Sequence, residues 1–70
     1  MDEGQLIQRS EDILGGTPVF AGTRVPVRAL IDYLKHGHSI DEFLSDFPTV
    51  HREQAEGVLD LARAALASEP

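Results

Sequence analysis

Glycine and proline divide this 70-residue chain into pieces too short to stand alone. Gly15-Gly16, Pro18, Gly22, Pro26, Gly37 and Pro48 interrupt the sequence in turn. Proline removes a backbone donor and biases the residue before it away from the helix. The pieces between these breaks, 27–36 and 38–47, hold ten residues each. Isolated helices of that length are marginal in water. The pieces must therefore bury one another's apolar faces in a single small domain.

The coarse pattern follows from that punctuation. Residues 1–10 are polar apart from Leu6-Ile7 and read as a flexible N-terminal arm. Ile13-Leu14, Val19-Phe20 and Val25-Pro26-Val27 are β-prone and are separated by turn chemistry, which predicts a short β-hairpin over about 11–25. Such a hairpin is too short for stability by itself. The first helix is predicted over about 26–36, with Val27, Leu30, Ile31 and Leu34 on one stripe and Gly37 as its stop. The second spans about 40–47. Ser39 and Glu42 form a capping box, Ile40, Phe43, Leu44 and Phe47 its stripe, and Pro48 its end. The third covers about 51–67 and turns Ala55, Val58, Leu59, Ala62, Ala65 and Leu66 inward. The join at Phe47-Pro48-Thr49-Val50 is short enough for a helix-turn-helix. The fold class expected is mainly α: a three-helix, helix-turn-helix-like bundle with an N-terminal β-hairpin arm, residues 11–70 forming one domain.

A domain this small needs help from elsewhere. The chain has no cysteine for disulfides and no cysteine–histidine cluster for a structural metal, so oligomerisation is the expected source, as a homodimer. No apolar run is long enough to span a bilayer, the N-terminus is acidic and polar, and the chain reads as cytoplasmic. The net charge of −6 opposes loose binding to nucleic acid. Its distribution is uneven: residues 1–38 carry a net of −1, residues 39–70 a net of −5.

Two sets of candidate contact residues emerge. Arg24, Arg28 and Lys35 make a modest basic patch, and Arg52 and Gln54 stand where a recognition helix would read base edges. These five are the candidate DNA contacts. Glu53, Glu56 and Asp60 share the third helix and oppose that role. For Gly22-Thr23-Arg24 the competing structural reading is a turn at Gly22, a local bond from Thr23, and Arg24 paired with an internal acid. The second set is apolar. Leu6, Ile7, Ile13, Leu14, Val19 and Phe20 on the hairpin arm, and Leu61 off the third helix's stripe, are candidate dimer or partner contacts. His36, His38 and His51 lack metal-ligand spacing, and no nucleophile stands with a base. Neither a cofactor, a metal nor an enzymatic activity is expected.

The ordered series Gly16-Thr17-Pro18, Gly22-Thr23-Arg24, Val25-Pro26-Val27, Gly37, Ser39 with Asp41-Glu42, and Phe47-Pro48 resembles the bacterial family catalogued as domain of unknown function 433. The resemblance covers roughly four fifths of the chain. It departs from the family pattern at His51, where Ser or Thr is usual, and near Ala55, where a β-branched residue is usual. It implies a homeodomain-like helix-turn-helix fold. It also implies an antitoxin that binds and neutralises a PIN-like ribonuclease toxin and possible operator DNA as a second partner. The alternative is a stand-alone DNA-binding regulator.

Overall fold

The computed structural model describes residues 3–9 and 14–67. A single helical turn, α1 (Glu3–Leu6), leads into β1 (Ile7–Gln8). A 3-10 turn at Leu14–Gly16 precedes β2 (Val19–Phe20). Three helices follow: α2 (Val27–Lys35), α3 (Ile40–Asp46) and α4 (Arg52–Ala67). The protein is mainly α, with the helices within a residue or so of the bounds their stripes and caps predict.

The hairpin differs from the expectation in which residues pair. β1 runs antiparallel to β2, with Ile7 opposite Phe20 and Gln8 opposite Val19. On the other side of β2, Val19 bridges to Pro26, and the Val27 amide donates to the Pro18 carbonyl at 3.0 Å. The segment 19–26 folds back on itself within the hairpin predicted over about 11–25, and Ile7-Gln8 add a further strand. Gly22 makes the tight turn between them with φ 77°, a conformation that is strained for a residue with a Cβ. Thr23 accepts from the Val25 amide and donates to the Phe20 carbonyl.

The segment read as a loose arm carries core residues. Leu6 is 3% exposed and its carbonyl accepts from the Ala21 amide. It lies against Gly57 of α4, where an added Cβ would come within 2.7 Å of a Leu6 methyl. A glycine in mid-helix weakens α4 by roughly 1 kcal/mol relative to alanine. Here it opens the space that Leu6 fills.

The core comprises Leu6, Phe20, Leu30, Phe43, Val50, Ala55 and Val58. Phe43 sits at its centre, with ring centroids 5.9 Å from Phe20, 5.3 Å from Tyr33 and 4.9 Å from Phe47. Tyr33 joins this cluster, whereas Ile31, predicted on the inner stripe, is 44% exposed. The predicted stripe of α4 is buried only through Val58, with Leu59 half-buried. Ala62, Ala65 and Leu66 are exposed. The cause is length. At ~1.5 Å per residue α4 is roughly 24 Å long, and its main neighbour, the single turn α1, packs near Gly57, so the last turns of α4 extend past it.

Ser39 starts α3. Its hydroxyl accepts from the Glu42 amide at 3.1 Å, and the Glu42 carboxylate accepts from the Ser39 amide at 3.2 Å. His38 bonds the same carboxylate at 2.9 Å, and with the Ser39 amide holds Glu42 below its ordinary range.

Three predictions follow from these contacts. Leu6→Ala should lower the unfolding free energy by about 2–5 kcal/mol. On a loose arm the change would stay within about 0.5 kcal/mol, and urea denaturation separates the two. Ser39→Ala should cost about 1 kcal/mol. Glu42's carboxyl is lowered on folding, so its stabilisation is complete above its unfolded value and is lost as pH falls through the lowered one. Melting followed against pH should show that acid loss in the native chain and a flattened profile in Glu42→Gln.

Candidate functional site

The structure sorts the predicted contact residues into those held inside the fold and those left outside. Gln54 belongs to the first group. It is 5% exposed, occupies the third position of α4, and its side-chain oxygen accepts from the His51 amide at 3.0 Å. Its side-chain nitrogen donates to the Ala21 carbonyl at 3.0 Å. The same amide therefore caps α4 and ties it to the hairpin turn. Glutamine suits a base edge because it offers a donor and an acceptor together. In this fold both face protein backbone, and the reading of Gln54 as a DNA contact is corrected.

Arg52 remains exposed but is engaged. Its guanidinium pairs with Asp41 of α3, and with Glu56 one turn on at 3.7 Å. The Asp41 carboxylate is the main cause of its raised pKa. The pair spans the α3–α4 junction, so Arg52 also serves the fold.

Arg24, Arg28 and Lys35 are exposed. Among the described residues the ion pairs are His38–Glu42, Arg52–Asp41 and Arg52–Glu56, so none of these three cations has an acid partner. The structural reading of Gly22-Thr23-Arg24 holds for its first two members and not for Arg24. The arginines border two grooves at the hairpin end. One, of about 640 Å³, is lined by Gln8, Gly22, Thr23, Arg24, Phe47 and Thr49. The other, of about 540 Å³, is lined by Ile7, Arg9, Thr17, Pro18, Val27 and Arg28. Arg9 was not singled out from sequence because it falls in the segment read as an arm. Its signal was its alternation with Ile7 across Gln8, which puts both on one side of a strand.

The apolar candidates divide in the same way. Leu6, Val19 and Phe20 are 3%, 0% and 0% exposed and belong to this chain's own core. Their assignment as partner contacts is corrected: pairing of β1 with β2 turns them inward. Ile7 is half-buried and Leu61 is 38% exposed. Ile13 lies outside the described residues, and of Leu14 only the backbone is described.

The outer surfaces of α3 and α4 are acidic. Asp41, Glu42, Asp46, Glu53, Glu56 and Asp60 are all exposed on α3 and α4. Asp46 accepts from the Tyr33 hydroxyl at 2.6 Å, which raises the phenol's pKa. His36 bonds the Asp32 carbonyl, capping the end of α2. Among the described residues no group of three histidines, cysteines or carboxylates could hold a metal ion. No helix of the described residues is long and apolar enough to cross a membrane.

Comparison with known proteins gives three findings. A family model described as a protein of unknown function, DUF433, matches residues 7–62. An uncharacterized protein, y4eO, of Sinorhizobium fredii (strain NBRC 101917 / NGR234) is 42% identical over 50 residues, covering 71% of this chain. The chain spans about a quarter of that relative, 23% of its length. No solved structure matches. The family match takes in the hairpin, both grooves and the packed part of α4, and it ends at Ala62, within the exposed end of α4.

Substitution should separate the two groups of polar residues. Gln54→Ala leaves buried backbone groups without partners and should cost about 1–3 kcal/mol. Arg24→Ala and Arg28→Ala should each change stability by no more than about 0.5 kcal/mol. Urea denaturation of the three variants checks this.

Proposed function

This chain belongs to the DUF433 family, and from that premise we propose that it is a non-enzymatic, protein-binding antitoxin of a two-gene toxin–antitoxin module. Its partner is a PIN-like ribonuclease. The family resemblance supplies the class of partner. One observation favours a protein over DNA as the first partner: the start of α4 is committed to the fold and its outward surface is acidic. Gln54 is buried, Arg52 is paired, and Glu53, Glu56 and Asp60 face outward. A recognition helix needs the reverse, free donors and cations toward phosphates.

The acidic face of α3 and α4 suits a surface that binds phosphates with basic residues, as a ribonuclease does. Capping such a surface neutralises the enzyme without any chemistry by this chain. Repression of its own operon is a second role. Arg24, Arg28 and Lys35, without acid partners among the described residues, favour it, with contacts moved from α4 to the hairpin and α2.

The direct test is co-expression with the product of the neighbouring gene, followed by pull-down and an RNase assay. A stable complex with suppressed ribonuclease activity is expected. If the neighbour is not a ribonuclease and no complex forms, the antitoxin reading is wrong. Gel shifts on the operon's own promoter test the second role, with Arg24→Ala and Arg28→Ala expected to abolish binding.

A further inference from the structure

We propose that the groove between Arg9 and Arg28, beside β1, receives an extended segment of the protein partner that carries a carboxylate next to apolar side chains. It rests on the protein-partner reading for the identity of that partner alone.

Three features of the groove point to this occupant. The first is the strand. β1 is an outer strand of the sheet, and the Ala21 amide donates to the Leu6 carbonyl at 3.0 Å. Antiparallel alternation then makes Ile7–Phe20 a pair whose backbone groups on β1 turn away from β2. The Ile7 amide already closes the last turn of α1, which leaves the Ile7 carbonyl as the acceptor that β1 offers an extended peptide.

The second is charge. Arg9 and Arg28 are exposed on the rim, and neither pairs with an acid among the described residues. Their planar forks match a carboxylate in two-point geometry. The third is the floor. Ile7, Pro18 and Val27 are half-buried and line about 540 Å³ between the two arginines. Alternation along an extended peptide puts every second side chain on one face, so one residue can cover the floor while its neighbours reach the rim. A phosphodiester would use the arginines and leave the apolar floor wet. The chain's net charge of −6 also repels a polyanion as a whole.

The test is an amide-resolved NMR titration of the full chain with four probes. These are a short peptide alternating valine and glutamate, its valine–lysine counterpart, inorganic phosphate, and a DNA duplex. The valine–glutamate peptide should shift the amides of Ile7, Arg9, Val27 and Arg28 saturably, and the lysine peptide should not. Arg9→Ala with Arg28→Ala should weaken binding by about tenfold or more. Arg9→Lys with Arg28→Lys, which keeps charge but loses the fork, should weaken it too. Absence of saturable shifts at the groove overturns the proposal, as does wild-type affinity in both double variants. Phosphate or duplex filling the groove without displacement by the acidic peptide assigns it to nucleic acid instead. No toxin enters the titration, so its failure and a failed pull-down are separate results.

Discussion

The packing of Phe43 holds the rest of this structure in place. Its ring meets Phe20 of the hairpin, Tyr33 of α2 and Phe47 at the end of α3. Each of those elements is shorter than an isolated helix or hairpin needs for stability. No disulfide is available to join them, since the chain has no cysteine. Tilted and edge-on aromatic contacts add roughly 0.5–1.5 kcal/mol each beyond the area they bury. The direction of the Phe43 ring is set by how α3 starts. The Ser39–Glu42 box fixes the first turn of α3, and Phe43 is the next residue. A surface cap thereby positions the buried centre.

Gln54 does for α4 what Glu42 does for α3, with a longer reach. One amide satisfies the His51 donor at the helix start and the Ala21 carbonyl in the hairpin turn. The two bonded segments are 33 residues apart in sequence. The contact therefore locks the hairpin to the last helix, beside the place where Leu6 fills the gap at Gly57. Arg52 reinforces the junction through Asp41. Residues that look like a reading head in sequence are fasteners in the fold.

What was legible in the sequence is what local chemistry determines. The capping box at Ser39, the stop at Gly37 and the break at Pro48 need only a few neighbouring residues, and they place α2, α3 and α4 closely. The pairing of Ile7-Gln8 with Val19-Phe20 joins segments across an intervening connection, and two-residue strands give no periodicity to read. Leu6 and Gly57 belong to the same class: each is unremarkable alone, and only their close approach explains both. The inner stripe of α4 was legible in direction but not in extent. Periodicity tells that Ala62 and Leu66 share a side with Val58, but not that the packed part of α4 stops short of them. At the candidate site, Arg24 and Arg28 were visible as unopposed cations. Gln54 was misread because an amide that can bond a base edge can equally bond two peptide groups.

The net charge of −6 hides two unlike surfaces. Two side chains meet the acids of α3 and α4: Arg52 ties Asp41 to Glu56, and the His38 ring bonds Glu42. Arginine is thereby removed from the surface where a helix-turn-helix would use it. At the hairpin end Arg9, Arg24 and Arg28 are left without acid partners among the described residues. Exposed ion pairs add little to stability, so leaving these three unpaired costs the fold almost nothing. Their forks stay available on the only sheet of the described residues, next to apolar floors that can take side chains. The same segregation opposes wrapping of the whole molecule by a long polyanion, because any such chain must also pass the acidic helices.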